Sequence, residues 1–174
     1  MLATVLLTQA SMANYPGGEA LRTFNHLVED TDSRSENLTA VVSRAIAEVR
    51  QEVSVHIDNY AAQTGASLFL HERAPPTSLL VSRRNPWNVL YNKTENLVTL
   101  EDFDRFDWVI TENPDRFMRG SGSPISAWKV RATVDGLRGF EMRSLGRKGV
   151  WTKLKIPRVV REAKLWILKQ ERSN

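Results

Sequence analysis

The segment EVSVHID, residues 52–58, constrains the fold most strongly because its hydrophobic period differs from that of its neighbours. Valine or isoleucine alternates with polar residues along it, which is typical of a β-strand with one buried face. The next segment, YAAQTGASLFL at 60–70, is helical in composition, and Asp58 or Asn59 can cap it. A strand, a capped turn and a helix in this order indicate an α/β fold.

Two helices are predicted before this strand. Apolar residues recur at three- and four-residue spacing in EALRTFNHLVED (19–30) and in LTAVVSRAIAEVRQ (38–51), the period of an amphipathic helix. Pro16, Gly17 and Gly18 predict a turn ahead of the first helix, because proline fixes φ and glycine tolerates positive φ. Each predicted helix therefore has one apolar face that can pack on a hydrophobic core.

Two further strands are predicted after residue 86. WNVLYNK (87–93) and DWVITEN (107–113) are short apolar runs rich in β-branched and aromatic residues, as buried strands are. The intervening TENLVTLEDFDRF (94–106) predicts a turn and a short helix. These strands can extend the sheet begun at residue 52.

The C-terminal third predicts a hairpin. AWKVRATV (127–134) and RGFEMRSLG (138–146) both alternate, and the Asp135-Gly136 pair between them favours a tight turn. The tail AKLWILKQER (163–172) fits a helix or a strand about equally well. Since 174 residues suffice for one core, the elements together predict a single small α/β domain with a mixed sheet, flanking helices and a C-terminal hairpin.

The net charge of +4 conceals an asymmetry. Residues 119–174 hold 14 Lys and Arg against 4 Asp and Glu, whereas residues 1–118 hold 10 against 16. A basic C-terminal third can face an anionic partner, which would make the chain an independent soluble binding module. The positive residues are scattered singly, however, and this favours a solvated face. Three tryptophans in the same third suit core positions better than base stacking, so no nucleic-acid partner is expected.

His56 and Asp58 are the residues best suited to chemistry, because they end a predicted strand, where active sites of α/β proteins collect. His56 could act there as a general base. The alternative, which we favour, is that Asp58 caps the next helix and His56 donates to a neighbouring backbone. The chain has no cysteine, and His26, His56 and His71 lie in different elements without metal-ligand spacing. No catalytic residue, metal or cofactor is therefore predicted.

The chain opens with an apolar segment, MLATVLL, that is about a third of the roughly 20 residues a spanning helix needs. On residues alone, two interpretations remain open. The segment can be a cleaved signal peptide, although it lacks a positive n-region, or the last turns of a membrane helix. Two N-x-[ST] sequons, at Asn37 and Asn92, are candidates for N-glycosylation, which would imply a lumenal or extracellular location.

Three ordered motifs, NYPGGEAL (14–21), VHID (55–58) and AAQTG (61–65), resemble the C-terminal lumenal portion of the dolichyl-phosphate-mannose-dependent α-1,6-mannosyltransferases. These GT-C enzymes of glycosyltransferase family 22 extend the lipid-linked oligosaccharide for N-glycosylation in the endoplasmic reticulum. WNVLYNKTENL and FDWVITENP are similar to later stretches of the fungal members. The resemblance covers most of residues 11–113 and thins after them, and the chain departs from the family by inserting residues 29–52.

The resemblance implies a location and partners. Residues 1–13 would be the end of a truncated transmembrane helix with its exit linker, and residues 14–174 a lumenal domain at the endoplasmic reticulum membrane. The implied partners are the membrane core of the parent enzyme and, through it, the dolichyl phosphate mannose donor and the lipid-linked oligosaccharide acceptor. The family's catalytic acid lies in an early lumenal loop outside this chain, so the chain alone is expected to be inactive. The matched motif positions, of unproven role, are Asn14, Tyr15, Pro16, Gly17, Gly18, His56, Asp58, Gln63, Thr64 and Gly65.

Overall fold

The computed structural model describes residues 2–33, 51–66, 87–95, 97, 99–118, 126–145 and 154–172. Helices and strands alternate along much of this part of the chain. In chain order they are α1 (Leu2–Ala13), α2 (Pro16–Ser33), β1 (Gln51–Ile57), α3 (Asn59–Gln63), β2 (Trp87–Asn92), a 3₁₀ helix (Glu101–Phe103), β3 (Trp108–Thr111), α4 (Asp115–Met118), β4 (Ser126–Leu145) and β5 (Leu154–Arg172).

The strands form one mixed sheet in the order β2-β1-β3-β5-β4. β1 runs parallel to both of its neighbours, pairing Val53 with Val89 of β2 and Ile57 with Ile110 of β3. β5 runs antiparallel to β3 and to β4. The predicted fold class is confirmed: the chain is a single small α/β domain with a mixed sheet, flanking helices and a C-terminal hairpin.

α2 covers one face of this sheet, because its apolar residues recur along one side of the helix. Ala20, Leu21, Phe24 and Val28 are all buried. The ring centroids of Phe24 and Trp108 lie 5.5 Å apart with the ring planes at 77°, an edge-to-face contact. The predicted amphipathic helix is therefore the main cover of the core.

The side chains of β1 alternate between two apolar clusters, as its two-residue period predicts. Val55 and Ile57 belong to the cluster under α2, whereas His56 packs against phenylalanines on the opposite face of the sheet. The second cluster consists of Phe103, Phe106, Val109, Phe117 and Leu168. The 3₁₀ helix and α4 thus cover the face that α2 does not.

α2 begins at Pro16, three residues before the predicted helix, so the predicted Pro-Gly-Gly turn is wrong. Proline suits the first helical position because an N–H there has no intrahelical partner in any case. The Gly17 N–H donates outside the helix, to the Thr64 carbonyl oxygen at 3.0 Å and to Thr64 Oγ1 at 3.1 Å. The glycine serves a close contact with the segment after α3.

The predicted turn at Asp135-Gly136 is also wrong, although a C-terminal hairpin is present. β4 continues through both residues, and its partner β5 contains the tail at 163–172. Register shifts on either side of this pair indicate β-bulges, which increase the local twist. Gly136 is buried, and a Cβ there would lie 3.4 Å from Pro16 Cγ. This glycine permits close packing of α2 on β4.

The other predicted elements are present where the structure describes them. The strands at 52–58, 87–93 and 107–113 correspond to β1, β2 and β3, and the 3₁₀ helix lies between the last two. The predicted helix at 38–51 lies outside the described residues, apart from its last residue, which opens β1. α3 ends at Gln63, residues 64–66 are not helical, with Gly65 at a φ of 113°, and residues 67–70 of that predicted helix also lie outside them.

α1 packs on β4 and β5 and buries Ala10 and Ala13. Val5, Leu7 and Met12 of the same helix are exposed. Within the described ranges, we find no helix that combines the length and the hydropathy needed to cross a membrane.

Candidate functional site

A pocket of about 310 Å³ lies where the parallel strands β1, β2 and β3 reach their carboxyl ends. In open α/β sheets ligands bind at this edge, because the chain leaves neighbouring strands in different directions and opens a crevice between them. Polar and aromatic side chains share the walls. The lining residues are His56, Ile57, Asp58, Asn59, Lys93, Thr94, Glu95, Leu97, Phe103, Val109, Thr111, Arg116 and Phe117.

His56 is the most unusual of these residues, because it is buried and its Nδ1 has no hydrogen-bond partner in the part of the chain that the structure describes. Its ring centroid lies 5.1 Å from that of Phe103 and 5.4 Å from that of Phe106. Burial lowers the pKa of the imidazole, against the opposing effects of a hydrogen bond with the Asn92 side chain and of the Asp58 carboxylate. A buried, neutral imidazole thus lines the pocket, and its unpartnered Nδ1 is shielded from solvent.

The environment of His56 predicts a pH dependence of folding. Because the folded-state pKa lies below the ordinary value near 6.5, the unfolded chain takes up the proton first as pH falls. The free energy of unfolding should therefore decrease as pH drops below 6.5 towards the lowered pKa. Urea denaturation at several pH values should show a shallower decrease for His56→Gln than for the wild type. Equal slopes for the wild type and His56→Gln would contradict the assigned burial.

Asp58 joins the ends of two parallel strands and caps α3. Its Oδ1 accepts a hydrogen bond from the Asn59 N–H at 2.7 Å, and its Oδ2 accepts one from Thr111 Oγ1 at 3.0 Å. The Asn113 N–H in turn donates to Thr111 Oγ1 at 3.1 Å. The predicted capping role is confirmed, whereas the expected backbone acceptor for His56 is wrong, since its described hydrogen bond is with a side chain.

The charges of the pocket are mixed. Lys93 Nζ donates to the Ala66 carbonyl oxygen, and partial burial lowers the pKa of this amine. Arg116 donates from Nη2 to the Leu97 carbonyl oxygen at 3.2 Å, and its guanidinium lies 4.9 Å from the centre of the Phe103 ring. Two cations therefore sit beside the Asp58 and Glu95 carboxylates. Such a lining suits a neutral ligand with many hydroxyl groups better than a strongly charged one.

The residues of the described ranges contain no group of three or more metal-ligating side chains. Asp58 already uses both carboxylate oxygens within the protein.

Two of the sequence motifs meet in space. The Gly17 N–H bonds to Thr64 across 47 residues of sequence, and a Cβ at position 17 would lie 2.0 Å from the Ala61 carbonyl oxygen. At Gly65 a Cβ would lie 3.2 Å from the Gly18 nitrogen. We call this contact between the start of α2 and the end of α3 the glycine joint; it consists of Pro16, Gly17, Gly18, Ala61, Thr64 and Gly65.

The remaining motif residues divide between the pocket and the surface. His56 and Asp58 line the pocket. Asn14 and Tyr15 are exposed between α1 and α2, and Gln63 is exposed on α3, where its Nε2 donates to Asn59 Oδ1 at 3.1 Å. The glycine positions of the motifs thus form one contact, and His56 and Asp58 line the pocket. The other three motif positions are exposed to solvent.

Sequence reasoning missed several pocket residues. Lys93 and Thr111 come directly at or after the ends of predicted strands, and the rule that ligands bind at carboxyl ends could have identified both. Arg116 had no such signal, because it enters the pocket from α4. Phenylalanines 103 and 117 looked like ordinary core residues.

The two sequons differ in accessibility. Asn37 lies outside the described residues. Asn92 ends β2, where its Oδ1 accepts from the Thr94 N–H at 2.9 Å and its side chain also contacts His56. A glycan on Asn92 would have to displace these contacts, so Asn37 is the better candidate of the two. Trp128 and Trp166 pack against the second apolar cluster, as expected for core tryptophans, and Trp151 lies outside the described residues.

Comparison with family models, curated proteins and solved structures gave no match to this chain. The functional interpretation therefore depends on the residues and contacts of the chain itself.

Proposed function

We propose that this chain is the lumenal domain of a dolichyl-phosphate-mannose-dependent α-1,6-mannosyltransferase of N-glycan precursor assembly. In this proposal the membrane core of the parent enzyme carries the catalytic acid and binds the donor. The lumenal domain packs on that core in the endoplasmic reticulum and helps to receive the acceptor glycan. Alone, it transfers no sugar.

The observation that supports this proposal most is the glycine joint. The resemblance depends on NYPGG and AAQTG, and a chance match would give these two motifs no reason to touch. Here the Gly17 N–H donates to Thr64, and alanine at position 17 would collide with the Ala61 carbonyl oxygen. The residue types in the two motifs are thus the ones that their contact requires.

The composition of the pocket supports a glycan as ligand. Hydroxyl groups of a sugar can both donate and accept, which suits a neutral imidazole beside amide, hydroxyl and charged groups. Phe103 and Phe117 are buried, with the Arg116 guanidinium over the Phe103 ring, and they contribute an apolar wall to the pocket. The pocket therefore offers the polar and the apolar contacts that a hexose needs.

Ion pairs argue against the alternative function, which is a binding module that uses its basic C-terminal face. Lys129 and Arg131 both pair with Glu171, at 3.6 and 2.9 Å. Arg138 lies 3.5 Å from a carboxylate oxygen of Glu162. These three basic side chains are thus partly neutralised within the protein.

The isolated chain provides a first experiment. Incubated with dolichyl phosphate mannose and the lipid-linked acceptor, it should transfer no mannose, whereas in an NMR titration with a free oligomannose glycan the imidazole ¹⁵N signals of His56 should shift. The exposed His26 is an internal control, and its signals should stay in place. Measured mannose transfer would contradict the proposal that catalysis belongs to the membrane core. An unchanged His56 signal at saturating glycan would contradict the proposed binding of a glycan in the pocket.

A further inference from the structure

The exposed large apolar side chains are concentrated in one part of the molecule. Six of the eight found among the described residues lie on α1, on the link to α2, or on the outer part of β4, which makes chance scattering a poor explanation. The other two are Leu90 on β2 and Met118 on α4. The six are Val5, Leu7, Met12, Tyr15, Phe140 and Met142.

The outer part of β4 and β5 extends beyond the rest of the sheet. In the register of the sheet, Thr111 at the end of β3 pairs with Trp166, which in turn pairs with Thr133. The twelve residues 134–145 of β4 therefore continue past the edge that holds the pocket. At about 3.4 Å per residue they are long enough to reach about 40 Å. We call residues 136–145 and 154–161 the outer ribbon.

The outer ribbon has one apolar face. Phe140 pairs with Val159 and Met142 pairs with Pro157, and directly opposed residues of antiparallel strands share a face. Phe140 is 54% exposed and Met142 is 61% exposed. Among the described residues, nothing covers most of this face.

The opposite face is charged, with a positive excess. Glu141 pairs in register with Arg158, and Arg143 lies two residues along the same face; all three are exposed. The ribbon residues hold five Lys or Arg and one Glu. Glu162, the register partner of Gly136, pairs with Arg138, and counting it leaves a net charge of +3. Residues 1–18, which include α1, hold no charged side chain. Apolar groups and surplus arginines thus occur together on a projecting element.

We propose that the outer ribbon, with α1 beside it, docks on an anionic lipid surface. The Phe140 and Met142 side chains enter the region between headgroups and acyl chains, and the arginines reach the phosphates with their long side chains. Charge complementarity favours this occupant over a second copy of the chain, because two copies would bring two positive ribbons together. The proposal is carried by exposed residues and does not need the proposed function.

Docking of this kind would also orient the pocket. The ribbon leaves the sheet at the edge where β1, β2 and β3 end. α2 begins at the same edge, since Pro16 lies beside Gly136, and α1 packs on β4 and β5. The pocket therefore lies at the sheet edge from which the outer ribbon projects.

Vesicle flotation with the full chain of 174 residues tests the proposal. The protein should float with phosphatidylcholine vesicles that contain phosphatidylserine and stay behind with phosphatidylcholine alone, and salt should weaken the binding. The double variant F140S/M142S should bind at least about tenfold more weakly, since it removes the inserted apolar area. The control L90S/M118S removes two exposed apolar side chains elsewhere and should bind like the wild type.

Three outcomes would overturn the proposal: no binding of the wild type to the anionic vesicles, an equal loss in the control variant, or a wild-type dimer in light scattering that F140S/M142S converts to a monomer. The last would assign the face to a second copy. Circular dichroism should show that both double variants fold, because the replaced side chains are exposed. The NMR titration of His56 contains no vesicles, so failure of docking and failure of the proposed function remain distinguishable.

Discussion

Replacing Gly17 by alanine is expected to lower the free energy of unfolding by about 3 kcal/mol, at the upper end of the range for overpacking. The added Cβ would lie 2.0 Å from the Ala61 carbonyl oxygen and 2.9 Å from Thr64 Oγ1. The Thr64 side chain could rotate, but the Ala61 carbonyl is backbone and already accepts the Ala66 N–H at 3.0 Å. Relief of the clash therefore requires that α2 move away from α3, with loss of the Gly17 hydrogen bonds.

Urea denaturation followed by tryptophan fluorescence measures this loss, and Trp108 reports from within the core under α2. Arg22→Ala on the same helix is the matched control. Arg22 is exposed and pairs only at the surface, with Glu19 at 3.1 Å, so this change should leave stability almost unaffected. A loss below about 1 kcal/mol for Gly17→Ala would mean that the two motifs do not pack as closely as described.

The strands of the parallel part of the sheet could be predicted from sequence because their signals are local. The alternation in β1 depends only on neighbouring residues, and the same alternation separates Val55 and Ile57 from His56 in the structure. β2 and β3 were recognisable as short apolar runs for the same reason. Strand order could not be predicted, because it depends on contacts between residues far apart in the chain.

The two wrong turn predictions share a cause. Asp135-Gly136 and Pro16-Gly17-Gly18 carry local turn signals, yet both glycine positions are used for close approach between elements. β4 passes straight through the first pair because β5 offers a partner along its whole length. Proline at the second begins a helix because the N–H it lacks is not needed there. Tertiary packing decided between conformations that the local sequence left nearly equal.

The candidate site was predictable only in part. His56 and Asp58 stand at the end of β1, and their position at the end of a strand indicates this edge from the sequence alone. Lys93 and Arg116 join them because β2 ends and α4 begins beside the pocket, which is a property of topology. The missing hydrogen-bond partner of His56 Nδ1 could not be predicted. It depends on packing against Phe103 and Phe106, which lie far from His56 in the sequence.

A domain exchange is the prediction with the largest expected effect, since its result is close to all or none. In cells that lack their own α-1,6-mannosyltransferase of this family, the lipid-linked oligosaccharide stops short of that mannose. If the proposed function is correct, a chimera that joins the host enzyme's membrane core to residues 11–174 of this chain should restore the addition, because in that proposal the core supplies the chemistry and this chain the lumenal domain. Neither the core alone nor this chain alone should do so.

Two control chimeras make the experiment decisive. One carries the host's own lumenal portion at the same junctions and shows that the junctions are tolerated. The other carries Gly17→Ala, which should abolish most of the restored addition by opening the glycine joint, whereas Arg22→Ala in the same chimera should be silent.

The most direct test of the central claim is therefore the size profile of lipid-linked oligosaccharides from these cells. We predict that the chimera shifts the accumulated species upward by one α-1,6-linked mannose and lets later additions follow. An unshifted profile, from cells in which the chimera is present in the membrane and the host-domain control is active, would contradict the assignment of this chain to the mannosyltransferases.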